Sequence, residues 1–147
     1  MKKKVINRRA KGARAELNAA KFLTKIGFPC RRTAQVRGKT SGCADLEFED
    51  EKFPIHVEVK HQAGLHLNTL ALMKACEQSA SEHKPGFEPV VLWRHSGCWN
   101  LSARADGVGS PWVTAQQRDI EWSLFAIATK LGWSRNPGVT MEVSHAK

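Results

Sequence analysis

No apolar run in the 147 residues approaches the ~18 that a membrane-crossing helix needs, so a spanning protein is not expected. The basic start Met1-Lys2-Lys3-Lys4 is followed only by Val5 and Ile6 before Asn7-Arg8-Arg9, too short for the apolar part of a secretion signal. The expected compartment is therefore the cytoplasm. Cysteine is sparse: Cys30, Cys43, Cys76 and Cys98 lie 13, 33 and 22 residues apart, with no CxxC or CxxH spacing. That argues against a structural zinc site and reads as small buried thiols in a reducing compartment. His61 and His66 lie five apart, a spacing that aligns ligands on neither helix nor strand. Internal repeats and low-complexity segments are absent. With hydrophobic residues at 41%, the chain is long enough for one real core.

Acidic residues are nearly missing from the first forty positions. Thirteen Lys and Arg there face a single acid, Glu16, a local net of +12, while residues 41–147 carry ten bases and thirteen acids. All the excess charge behind the overall +9 is therefore N-terminal. Such a segment can touch several phosphates and release their counterions, which points to a polyanionic partner.

The apolar residues Ala10, Ala13, Leu17, Ala20, Leu23 and Ile26 recur at intervals of three and four and stop before Gly27 and Pro29, predicting a helix over Ala10 to Ile26. Its one acid, Glu16, falls on the apolar side, where a carboxylate is costly unless a cation or hydrogen-bond donor meets it. Residues Arg31 to Gly42 read as a flexible basic loop. Ala44-Asp45-Leu46-Glu47-Phe48 and Pro54-Ile55-His56-Val57-Glu58-Val59-Lys60 then alternate, predicting two strands with His56, Glu58 and Lys60 pointing outward. Joined as an antiparallel hairpin through a loop of about four residues, they place Phe48 opposite Ile55 and Asp45 opposite Glu58.

Beyond this, a helix is expected over His66 to Glu82. Strands are expected around Val90 and Trp99, joined at Ser96-Gly97, with a final helix over Ala115 to Leu131. The whole reads as a single mixed α/β domain, a central β-sheet flanked by helices with an extra C-terminal helical segment.

Two carboxylates placed side by side repel unless a cation lies between them. Asp45, Glu58 and Lys60 on one face, with Glu16 on the preceding helix and a basic segment alongside, form what a hard divalent cation requires: oxygen ligands, with room for water.

The pattern Gly42-Cys43-Ala44-Asp45, a short turn, Glu58-Val59-Lys60 and a preceding helical Glu16 resembles the PD-(D/E)xK nuclease superfamily. Lys11-Gly12-Ala13-Arg14-Ala15-Glu16 and Arg31-Arg32-Thr33 make the chain look most like archaeal and phage-type Holliday junction resolvases. The likeness covers roughly residues 8 to 103. Ala44 stands where such motifs usually have proline, and the segment from Arg104 to Lys147 matches no part of the pattern.

The resemblance implies a restriction-endonuclease-like αβββαβ core with its basic arm over residues 1–103, and an extension, 104–147, packed on the same domain. It implies catalysis by Glu16, Asp45, Glu58 and Lys60. Mg²⁺, or Mn²⁺ in its place, would be held by Asp45, Glu58, the Val59 backbone carbonyl and Glu16. DNA contacts would come from Lys11, Arg14, Arg31, Arg32, Arg37, Lys39 and Ser41, with Gln62 as an accessory group. The partners it implies are branched four-way DNA and a second copy of the chain, in a bacterial or phage-infected cell. From the residues themselves, two alternatives stay open: a nuclease acting on duplex, nicked or flapped DNA, and a non-catalytic basic nucleic-acid-binding protein. The five tryptophans, Trp93, Trp99, Trp112, Trp122 and Trp133, are expected mostly in the core, with a dimer contact or base stacking as other uses.

Overall fold

The computed structural model describes residues 8–33, 44–61, 69–83, 85–107 and 109–135. Chain order is α1 (Arg8–Lys25), β1 (Cys30–Arg32), β2 (Leu46–Phe48), β3 (Ile55–His61), α2 (Thr69–His83), β4 (Glu88–His95), β5 (Cys98–Arg104), β6 (Trp112–Gln116), a 3₁₀ turn (Gln117–Asp119) and α3 (Ile120–Lys130). It is one α/β domain with a mixed sheet flanked by helices. No helix among the described residues is long and apolar enough to cross a membrane.

Helix α1 ends where Gly27 takes φ 102°. Phe28 N–H then reaches back to the Leu23 carbonyl at 2.9 Å and Gly27 N–H to Thr24 at 3.2 Å. This pair of bonds closes a helix through a left-handed residue, and it turns Phe28 into the core. After the turn the chain forms β1, which pairs antiparallel with β2 in the register Cys30↔Phe48, Arg31↔Glu47 and Arg32↔Leu46. β3 runs parallel to β4, because the intervening α2 carries the chain back to the starting end of the sheet. β4 and β5 form a hairpin on Ser96 and Gly97, both at positive φ (50° and 78°), the geometry a two-residue hairpin loop requires. β6 adds the outer strand on β5.

Alternate residues of the sheet feed two layers. Ile55, Val57, Val59, Val90, Leu92, Leu101 and Trp99 join Ala19 and Leu23 of α1 and Ile120, Leu124 and Ala128 of α3 in the main core. On the opposite face Val91 packs with Met73 and Cys76 of α2. The segment after residue 103 thus supplies one sheet strand and part of the main core.

Four expectations need correction. The expected hairpin of residues 44–48 with 54–60 does not form: β2 pairs with β1 and β3 pairs with β4, and it is Asp45, just before β2, that bonds to β3. Arg31 and Arg32 lie in strand β1 rather than in a loop. Ala115 and Gln116 belong to β6, so the last helix starts at Ile120. Helix packing against both faces also means that the β3 side carrying His56, Glu58 and Lys60 does not face open water; His56 is only 1% exposed. Of the tryptophans, Trp99 is buried, Trp93, Trp112 and Trp133 are half-buried, and Trp122 is 74% exposed.

Candidate active site

Asp45 is the residue at which the two sheets meet. Its backbone N–H donates to the Val57 carbonyl of β3 at 3.1 Å, and its carbonyl accepts from Thr33 N–H, just after β1, at 3.0 Å. Held from both sides, its side chain turns onto β3, where Oδ2 accepts the Val59 N–H at 2.8 Å. Strand alternation puts Glu58 beside that contact and Lys60 two residues on along the same face. Both are partly buried.

The geometry turns one more group toward this point. In an extended strand the N–H and C=O of a residue face the same edge, so a Val59 N–H directed at Asp45 places the Val59 carbonyl on the Asp45 edge of β3, away from β4.

The electrostatics are those of a crowded acid pair. Burial, then the neighbouring Glu58 charge, pushes the Asp45 carboxyl up to about 7; the Val59 N–H works against this, and Glu16 adds repulsion. Glu58 moves the other way. Burial alone would raise it, but hydrogen bonds from His56 and Asp45 and the charge of Lys60 together hold it below the usual carboxylate range. Below about pH 7 the proton of the pair therefore stays on Asp45, directed at an ionised Glu58.

Glu16 is 8% exposed and sits close enough for its charge to act on Asp45. The cation that its apolar surroundings call for is Arg32, whose Nε lies 3.0 Å from Glu16 Oε2. A carboxylate so shielded depends on that partner. Arg32→Ala is expected to cost about 2 kcal/mol in chemical denaturation, whereas Arg31→Ala, on the exposed side of β1, should stay within about 0.5 kcal/mol of wild type. Equal effects would show that the pair contributes nothing.

Asp45, Glu58 and Lys60 thus come together, and Glu16 stands behind them. Of the expected DNA contacts, Lys11, Arg14 and Arg31 are exposed, while Arg32 is engaged by Glu16. Arg37, Lys39, Ser41 and Gln62 lie outside the described residues. His56 and Ser79 went unassigned in the sequence: His56 Nε2 lies 3.4 Å from Glu58 Oε1 and 3.3 Å from Ser79 Oγ. The strand alternation that placed His56 on the Glu58 face was the available signal; Ser79, on another element, had none.

The residues fit a divalent cation. Two carboxyls within hydrogen-bonding reach, one kept protonated by the other, plus a backbone carbonyl on the same edge, are hard oxygen donors gathered at one point. Among the described residues no cluster of three or more His, Cys, Asp or Glu side chains forms a cage, so a cation here would complete its shell with water. No protein-family model, curated protein or solved structure matches the chain.

Proposed function

We propose that this chain is a Mg²⁺-dependent endodeoxyribonuclease acting on branched DNA, a Holliday junction resolvase of restriction-endonuclease-like fold. The observation that carries the reading is the bond from Val59 N–H to Asp45 Oδ2. It brings an Asp, the Glu58 carboxylate and the Val59 carbonyl to one strand edge with Lys60 beside them. The order of α1, three strands, α2 and a strand parallel to the third supports the same reading.

Asp45, Glu58 and the Val59 carbonyl would hold the cation, with Glu16 reaching it through water. Mg²⁺ bound there supplies positive charge to the scissile phosphate and to its attacking water. Lys60 contributes an ammonium on the same face, placed to orient that water and to offset charge developing on the phosphate. In the reaction the water oxygen bonds to phosphorus, one P–O ester bond breaks and the departing oxygen takes a proton. The exposed bases Lys11, Arg14 and Arg31, with the rest of the basic segment, grip neighbouring phosphates without reading base sequence. Paired nicks on opposed strands need two sites, so the reading includes a homodimer.

The test is a strand-resolved cleavage assay on a synthetic four-way junction and on matched linear and flapped duplexes, with Mg²⁺ or EDTA. Symmetric paired nicks on the junction, abolished by EDTA, are expected. Equal cutting of all substrates would retain a nuclease and discard junction selectivity. Salt-sensitive binding without any cut would point to the non-catalytic protein.

A further inference from the structure

We infer that His56 is a positioning residue: from the layer between β3 and α2 it donates Nε2–H to Glu58 and, braced by Ser79, fixes the carboxylate that would hold the cation. This inference rests on the nuclease reading above.

His56 is the most deeply buried side chain on its face of β3, at 1% exposure. A neutral imidazole has one donor and one acceptor nitrogen. Nε2 faces Glu58 Oε1 at 3.4 Å, an ionised oxygen that can only accept, so the proton sits on Nε2. Ser79 Oγ lies 3.3 Å from the same nitrogen, on the α2 side, and can meet it only as a second acceptor sharing that N–H, which holds the ring in place. Nδ1 is buried and has no hydrogen-bond partner among the described residues.

A core position is an expensive place for a ring with one polar atom unmet, since Val or Leu would fill the space without desolvating a nitrogen. What the ring supplies that an aliphatic side chain cannot is the single N–H aimed at Glu58. Helix α2 is itself fastened over this spot: Cys76, three residues before Ser79, donates its thiol to the Val90 carbonyl of β4 at 3.5 Å. Ser79 is thereby held against the ring, and the ring against Glu58. Groups that orient a metal-binding carboxylate in this way typically matter 10–100-fold for metal affinity or activity.

The experiment compares full-length wild type with His56→Leu, which keeps bulk and loses the donor, His56→Gln, which keeps an N–H, and Ser79→Ala. Each is measured for binding of Mn²⁺ alone by electron paramagnetic resonance, for half-saturating Mg²⁺, kcat and KM on branched DNA, and for melting in EDTA. His56→Leu is expected to weaken Mn²⁺ binding and lower kcat about 10–100-fold with KM for DNA unchanged. His56→Gln should recover most of that loss, and Ser79→Ala should show a smaller one.

Wild-type Mn²⁺ binding and kcat in His56→Leu, or a folded His56→Gln no better than His56→Leu, overturns the inference and leaves the nuclease reading standing. Should His56→Leu fail to fold, Ser79→Ala decides. A raised Mg²⁺ requirement supports the inference, and wild-type behaviour overturns it. A wild type that binds no Mn²⁺ and cuts no DNA removes both readings together.

Discussion

Replacing Asp45 with Asn is expected to abolish cleavage, by at least ~10³-fold, while making the metal-free protein more stable at neutral pH. Asn copies the protonated Asp45: its carbonyl can still accept the Val59 N–H, and its amide can still donate to Glu58, but it carries no charge. The sign follows from where the proton sits. The Asp45 carboxyl has an ordinary value of 3.8 and is pushed up to about 7 in the fold. Between these values the unfolded chain has released a proton that the folded chain retains, so wild-type stability falls as pH rises through that window and stays low above it.

The loss is roughly 2–4 kcal/mol, or about 5–10 °C in Tm for a domain of this size. Asp45→Asn should remove most of that slope and melt higher than wild type at pH 7.5 in EDTA. Added Mg²⁺ should stabilise wild type and not the variant. A variant that melts lower than wild type in EDTA, with an unchanged pH slope, would show that the acid pair is not strained.

The second large effect is at Lys60. It shares the Glu58 face of β3 and its charge helps keep Glu58 ionised, but exposed bases elsewhere are available for DNA. Lys60→Met, which keeps the stem and deletes the ammonium, is expected to lower kcat ~10²–10⁴-fold. DNA affinity measured in Ca²⁺, with its salt dependence, should change little, because one phosphate contact among many is lost at most. Parallel loss of binding and cleavage would make Lys60 a phosphate anchor instead.

Much of this arrangement is legible in the sequence where periodicity is long. The helical spacing from Ala10 to Ile26, with its stop at Gly27, corresponds to α1 at Arg8–Lys25, and the alternation from Ile55 to Lys60 corresponds to β3. Ser96-Gly97 marks a turn because both positions require positive φ. β1 was hidden because it is three residues long, two of them arginine, and it is held by backbone pairing to β2 rather than by an apolar pattern. β6 was hidden because its Val113 and Thr114 are exposed on an outer strand.

Partner choice was the larger gap. Two alternating segments with a short connection suit an antiparallel hairpin equally well, and nothing local reveals that β3 prefers β4 across an intervening helix. Asp45 nevertheless reaches Glu58, through its own backbone bond to Val57 and its side-chain bond to Val59, so the site came together by a route different from the expected register. The alternation also marked His56, Glu58 and Lys60 as one face but could not show that α2 covers it. That cover accounts for the burial of His56.

The most direct measurement is calorimetric titration of Mn²⁺ into the metal-free protein and into Asp45→Asn, repeated across pH 6 to 8. Saturable binding by wild type, about tenfold weaker at pH 6 than above pH 7 because a proton competes for Asp45, and absent in the variant, is what the carboxyl pair predicts. Undiminished binding by Asp45→Asn, or none by wild type at any pH, would contradict it.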